Sequence, residues 1–372
     1  MGSKRAMLQN GLGDVLTHEI AHAGRFVDLF AGSSAVALHV AQNHPVPVLA
    51  FDLQSYSAIL AAAVVTRRNK LDWQTAWQDW QERARLRLRK KRIPAASVVT
   101  RGVVEELRRW CGNQAGLSIT RAYGGHYFSA RQAVCLDALR STLPRNEAKR
   151  AVALAALIQA GSECAASPGH TAQPFQPTRT AKQYIEEAWS IDIIERTGEW
   201  FASLADQVAM RVGRANVRDA NDAARGLRDG DLAFIDPPYS SVHYSRFYHV
   251  LETIACGVSG EVSGTGRYPS QELRPRSRYS LKSESAAALE NLLETVAASG
   301  AKAILTFPDH ECSNGLSGEA VREIARRHFR FREQFVVSRF STLGGTGDDR
   351  DDEGGRAARQ RANELILVLV PR

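Results

Sequence analysis

The sequence predicts an α/β protein: a doubly wound sheet of the nucleotide-binding type, interrupted by a mostly helical insertion. Three observations predict it. A strand–turn–helix–strand pattern opens the chain, a long helical stretch follows from about residue 54, and strands alternating with helices return after about residue 215.

The opening stretch "GRFVDLFAGSSAVALHVAQNHPVPVLAFDLQ" reads as a strand over 25–29, a glycine-containing turn over 30–34, a helix over 35–43 and a second strand over 47–51. That is a βαβ unit. Asp52 follows the second strand, roughly 20 residues beyond the turn, where the ribose-binding acid of a nucleotide-type fold sits. In the helical stretch Trp73, Trp77 and Trp80 recur at i, i+4 and i+7, the spacing that core burial requires, and "NEAKRAVALAALIQAG" is a further amphipathic run. Later, "ANVRDA", "GDLAFIDPPY", "AKAILTFPD", "FREQFVVSRF" and "NELILVLV" are five strand candidates, with helices at 284–298 and 318–327 between some of them. The last two strands read as a terminal antiparallel pair around "STLGGTGDDRDDEGGRAARQ". That loop and residues 257–278 are rich in glycine and charge, and are expected to be mobile. The expected organisation is a sheet-bearing part built from 1–64 and 212–372 and an inserted, mostly helical part, 65–211.

Composition narrows the class. With 372 residues, 44% of them hydrophobic, the chain can bury a full core without staples. Cys111, Cys135, Cys164, Cys256 and Cys312 form no CxxC pair, which argues against disulfides and zinc and for a reducing cytoplasm; no metal is expected. No window of eighteen apolar residues occurs and "MGSKRAMLQNG" lacks the apolar centre of a signal peptide, so no membrane association is expected. A net charge of +8 favours a polyanionic partner.

In a doubly wound sheet ligands bind beyond the carboxyl ends of the strands, so "DLFAGSS" and "FIDPPY" are expected to face one crevice although some 200 residues separate them. The first turn lacks both GxGxxG and a Walker lysine, so it suits an uncharged or cationic nucleoside rather than a phosphate. S-adenosylmethionine has that character, and Asp28 would attract its positive groups. The tetrapeptide Asp236, Pro237, Pro238 and Tyr239 suits methylation of an exocyclic amine. Such a nitrogen is a poor nucleophile because its lone pair is delocalised into the ring. A carboxylate and a main-chain carbonyl can accept its two hydrogens, proline fixes the backbone, and tyrosine can stack on the base.

With these two motifs the chain resembles the Dam-type, alpha-class amino-methyltransferases that methylate adenine N6 in DNA. "DLFAGSS" is similar to their FxGxG motif, "DPPY" to their catalytic motif, and "RANELILVLV" to their final strand, with the similarity covering roughly 12–64 and 212–370. The resemblance implies a Rossmann-like class I S-adenosylmethionine-dependent methyltransferase fold, in which the sheet-bearing part is catalytic and the inserted part recognises the target. It also implies cofactor contacts from Phe30, Gly32, Asp52 and Asp28, with Asp219 (Asp222 as the alternative) near the cofactor's adenine, and a flipped adenine held by Asp236 to Tyr239. The partner implied is double-stranded DNA, with structured RNA as the alternative, a cytosine N4 substrate chemically open, and a restriction or defence partner compatible. Two features depart from the family: Ser34 stands where its last motif glycine would be, and "NGLGDVL" is given no cofactor role. A degenerate, non-catalytic DNA-binding subunit is the reading of a different class.

For nucleic acid, the basic run "ERARLRLRKKR" offers Arg85, Arg87, Arg89, Lys90 and Lys91 as phosphate contacts. Tyr123, His126, His170 and Gln173, in loops mixing glycine, proline and aromatics, are candidate nucleotide contacts, and Arg246, shortly after DPPY, a candidate phosphate contact. His243 is left out of the catalytic set, because the amine need not lose its proton before attack.

Overall fold

A computed structural model describes residues 4–89, 91–95, 98–341 and 359–372. Packing divides the chain into two units: Met1–Leu53 with Ala209–His243 and Ser277–Arg372, and Gln54–Val208 with Tyr244–Arg276.

The first unit is built on a seven-stranded sheet of β1 (Arg25–Asp28), β2 (Val48–Asp52), β3 (Arg214–Val217), β4 (Asp231–Ile235), β5 (Lys302–Pro308), β6 (Phe329–Ser341) and β7 (Arg359–Pro371). Their order is β3-β2-β1-β4-β5-β7-β6. The first five run parallel, and β7 runs antiparallel to both β5 and β6. β4 is buried at all five positions, which is why "DLAFI" is a continuous apolar run after its first residue rather than an alternating one. In the helix Ser285–Ala298, Leu289, Leu292, Leu293 and Val296 recur at helical spacing and pack with Val27, Ile235, Leu305 and Phe307 in one core. Each such leucine contributes on the order of 2 kcal/mol by leaving water.

Strand order reverses between β1 and β4, so the crevice of a doubly wound sheet lies at their carboxyl ends. The register pairs Asp28 with Ala50 on one side and Phe234 on the other, leaving Asp52 and Asp236 each two residues further along. The strand expected at 47–51 begins one residue later, and Asp52 is its last residue. Most of the loop between β6 and β7, expected to be mobile, lies outside the described residues.

The second unit is helical, with Ser55–Val65, Trp73–Leu88, Arg101–Gly112, Ala130–Ser141, Glu147–Cys164 and Ile193–Asp206 as its longer helices. Trp80 is fully buried and its indole N–H donates to the Leu139 carbonyl at 3.0 Å. Trp77 is half-buried, its ring so close to Gly198 that a Cβ there would come within 2.8 Å of it. Trp73, also half-buried, borders an open groove, so the tryptophan stripe is core at one end only.

The inserted part was expected to span 65–211. The packing unit runs from Gln54 to Val208 and also takes in Tyr244–Arg276. Two contacts explain this. Glu252 accepts from the Ser55 and Tyr56 amides, both at 2.9 Å, closing the amino end of the helix Ser55–Val65. Gly161 lets Ile254 press on the helix Glu147–Cys164, where a Cβ would lie 2.5 Å from the Ile254 Cδ1. Within 257–278, expected to be mobile, a short hairpin forms between Val262–Ser263 and Tyr268–Pro269, and Tyr127 Oη donates to the Gly266 carbonyl at 2.9 Å.

Charge is split between the units. The sheet-bearing one has 22 Lys/Arg against 23 Asp/Glu, and the helical one 26 against 17, so its net +9 exceeds the +8 of the whole chain.

Arg67 shows how the helical unit satisfies its buried backbone. It is 6% exposed, and its guanidinium donates to the carbonyls of Ala63, Asn69, Leu204, Ala205 and Gln207, adding to the Gln207 and Leu71 amides that already serve Leu204 and Ala205 at the carboxyl end of the helix Ile193–Asp206. Arg67→Met removes these bonds, so denaturant unfolding should show a loss of about 3 kcal/mol. A loss below about 1 kcal/mol would mean that water replaces the guanidinium without penalty.

Candidate active site

Four adjacent parallel strands of the first unit each deliver an aspartate at or just beyond their carboxyl ends: Asp219 after β3, Asp52 on β2, Asp28 on β1 and Asp236 after β4. Residues 200 positions apart in the chain thus share one edge of one sheet.

The glycine turn is tied to the second strand. The Gly32 amide donates to Asp52 Oδ2 at 2.8 Å and the Ala31 amide to the Phe51 carbonyl at 2.9 Å. A Cβ on Gly32 would meet only the Phe30 carbonyl, at 3.8 Å, so what requires glycine here is its φ of +52° rather than a lack of space. Ser34 has a φ of +63°, a conformation costing a non-glycine residue roughly 1 kcal/mol, which accounts for glycine in the related motif. Phe30 is half-buried, its ring edge-on to Tyr279 at 5.1 Å. Asp219 caps the short helix Ala220–Ala224 through the Asn221 amide, at 2.9 Å, while Asp222 points to solvent beside Arg225.

Asp28 is enclosed, with 1% exposure, and accepts from the Phe30 amide at 3.2 Å. Burial, reinforced by the charges of Asp236 and Asp52 and opposed by backbone amides, pushes its carboxyl up to about 8. It therefore offers no surface to the crevice and instead holds the Phe30 backbone in place.

Asp236 is held by two side chains. Thr306, from β5, donates to its Oδ1 at 2.8 Å, and the Lys4 ammonium lies 3.0 Å from the same oxygen. Lys4 also donates to Glu364 Oε2 on β7 at 2.8 Å. Burial would lower the Lys4 ammonium, but the Asp236 and Glu364 carboxylates outweigh it and hold it above its ordinary value. Burial raises the Asp236 carboxyl, and Lys4 and Thr306 act against that rise. Nearby, buried Asn314 donates to the carbonyls of Pro238 and Tyr279, both at 3.0 Å, and the Ser241 amide donates to Ser313 Oγ. Pro237 is buried beside Asp236. Tyr239 is half-buried, edge-on to Phe307 at 6.5 Å.

Lys4, Thr306 and Asn314 escaped the sequence reading. Lys4 carries no periodic or motif signal, and the other two matter only because β5 and the loop after it lie beside β4. Glu364 was visible only as the acid of the final strand.

The candidate nucleic-acid contacts belong to the second unit and separate into kinds. Arg85, Arg87, Arg89 and Lys91 are exposed, and the three arginines make no ion pair among the described residues; Lys90 lies outside those residues. Arg85 and Arg89 border, with Trp73 and Trp77, an open groove of about 850 Å³. Gln173 and Arg246 are exposed, and His170 is half-buried with its ring against Phe247. His126 is half-buried, and burial, then Arg108 and Arg267, push its imidazole down to about 3. The expectation for Tyr123 is overturned: it has no exposed surface, its hydroxyl pairs with Thr253 at 2.9 Å, and its ring packs on Tyr127 and His249. The loop "RAYGGHYFS" looked polar in composition, but its aromatics turn inward.

Comparison with known proteins places this geometry. Residues 1–97 match the family model of D12 class N6 adenine-specific DNA methyltransferases, a span that includes Lys4, Asp28, Gly32 and Asp52 and ends before Asp219 and Asp236. A segment of 68 residues, 18% of the chain, is 44% identical to the modification methylase LlaI of Lactococcus lactis subsp. lactis, and spans a tenth (10%) of that protein's length. The mixed α/β architecture with its mostly parallel sheet fits a class I methyltransferase fold.

Asp28 has an ordinary value of 3.8 and a folded value of about 8. Its contribution to stability is therefore complete below 3.8 and is lost as pH rises through 8. Asp28→Asn, which keeps an acceptor for the Phe30 amide, should unfold at higher denaturant than the wild type at pH 9, with the difference vanishing near pH 4; equal stability of the two proteins at pH 9 would refute the raised value.

Proposed function

We propose that the protein is an S-adenosylmethionine-dependent methyltransferase acting on N6 of adenine in DNA, with the target base turned out of the duplex. The observation that carries this reading is the shared sheet edge, where Asp52 and Asp28 stand at the ends of β2 and β1, and Asp236 just beyond the end of adjacent β4. The match of residues 1–97 to D12 class methyltransferases supports it.

The residues suit the cofactor. Asp52 ends its strand as a ribose-binding acid would, Gly32 leaves the turn open, and the Asp52 carboxylate favours a cation in the crevice. When bound, S-adenosylmethionine supplies a methyl group already activated on a sulfonium. The protein's part is then to hold and orient the amine. Asp236, with its Oδ1 fixed by Thr306 and Lys4, presents Oδ2 as an acceptor; the Pro237 carbonyl is a second acceptor; and Tyr239 provides the ring for stacking. Holding both amine hydrogens while the nitrogen becomes tetrahedral lowers the barrier, and fixed placement supplies much of the rest. Lys4 favours the ionised Asp236 that this role needs. No side-chain base is required, since the proton can leave to water after transfer.

The name of the relative, a modification methylase, supports a restriction–modification setting for this chain. The basic helical unit suits a polyanionic substrate.

Purified protein should transfer labelled methyl groups from S-adenosylmethionine to adenine N6 of duplex DNA. Asp236→Ala should reduce the rate at least about a thousandfold, the scale of losing a transition-state acceptor, while calorimetric titration still shows cofactor binding. Transfer to RNA alone, or full activity in Asp236→Ala, would contradict the reading; absence of cofactor binding by folded wild type would favour a non-catalytic subunit.

A further inference from the structure

The segment Tyr244–Arg276 places two arginines on one tyrosine. The Arg246 guanidinium lies 4.4 Å from the centroid of the Tyr268 ring and that of Arg274 lies 5.7 Å from it. Two like charges gathered on one ring repel each other, and each stacked contact returns only about 1 kcal/mol. A carboxylate between them would be the ordinary solution. Neither arginine has one within 4 Å among the described residues, and Glu272, two positions from Arg274, is engaged by Ser270 Oγ instead. Arg274 Nε is enclosed and has no hydrogen-bond partner there.

The tyrosine between them is held firmly. Its Oη donates to the Ala172 carbonyl, and the hairpin carrying it is fastened by Tyr127 Oη to Gly266 and by Arg267 Nε to the Ala122 carbonyl, both at 2.9 Å. Arg267, adjacent to Tyr268, adopts a left-handed φ of +54°, a strain that the surrounding bonds sustain. His249, with its ring 5.1 Å from that of Tyr268, adds no charge: burial first, and then Arg274 and Arg246, push its imidazole down to about 4. A guanidinium over an aromatic ring is not neutralised by it and can still offer N–H groups to a phosphate.

We propose that Arg246 and Arg274, stacked on Tyr268, form a clamp for phosphodiester groups of the nucleic-acid backbone. This rests on the reading of the substrate as DNA and assigns it a backbone contact in the helical unit, distinct from the acceptors that hold the base. The anion completes the cluster by neutralising both charges. Because phosphate contacts carry no sequence information, the clamp positions the substrate and does not select it.

The test is the salt dependence of binding. Fluorescence anisotropy with a labelled DNA duplex, from 50 to about 300 mM KCl, should give a wild-type slope of log Kd against log salt that falls by about 0.9 in Arg246→Gln and in Arg274→Gln, and by about twice that in the double variant. KM for DNA should rise in each variant with kcat nearly unchanged. Tyr268→Phe keeps the ring and should keep the slope, whereas Tyr268→Leu should weaken binding. A wild type that binds and methylates DNA while the double variant retains the full slope overturns the clamp alone. A wild type that binds no DNA overturns both the clamp and the substrate reading.

Discussion

A single ammonium ties together the edge of the sheet where its parallel strands end. Five parallel strands deliver their carboxyl ends to one side, and four aspartates gather there, an arrangement that opposes itself electrostatically. Lys4 enters this edge, with 13% of its side chain exposed, and joins Asp236, just beyond β4, to Glu364 on β7, strands separated by β5. Removing a partner from such a buried group costs about 3–5 kcal/mol, because the remaining charges are left without compensation. The interaction therefore fixes the geometry of Asp236 and sets its charge together. Asp28 has no such partner, and its carboxyl rises instead to about 8.

The division of charge between the units suits the two binding tasks of the proposed function. A sulfonium cofactor calls for carboxylates, and they are concentrated in a unit whose formal charge is near neutral, at 22 basic to 23 acidic residues. A polynucleotide calls for cations, and the helical unit has 26 basic residues to 17 acidic ones. A uniformly basic protein would weaken the first task, and a uniformly acidic one the second. Within the helical unit the cations also differ in use. Arg67 is spent on backbone carbonyls, whereas Arg85, Arg87 and Arg89 face solvent.

Local signals made the βαβ unit, the five later strands and the positions of Asp52 and Asp236 legible in the sequence, because strand ends, glycine turns and proline pairs are written in consecutive residues. What escaped depends on residues brought close only by folding. Nothing around Lys4 marks it as the partner of residues 232 and 360 positions away. Thr306 and Asn314 acquire roles only through the neighbour relation of β4 and β5. Tyr123 misled because its neighbours are glycine and histidine, a loop-like composition, while its own ring is core. The reach of 244–276 into the helical unit was hidden for a related reason: Glu252 works as a remote helix cap, and a cap supplied from some 200 residues away leaves no capping signature beside the helix it serves.

The ammonium bridge can be tested without any substrate, through the unfolding free energy of wild type and Lys4→Met at pH 8 and pH 5. If the bridge compensates Asp236 and Glu364, the variant loses about 3 kcal/mol at pH 8, and clearly less at pH 5, where protons begin to take the place of the ammonium. An equal loss at both pH values, or no loss at pH 8, would show that Lys4 is not what holds the edge together.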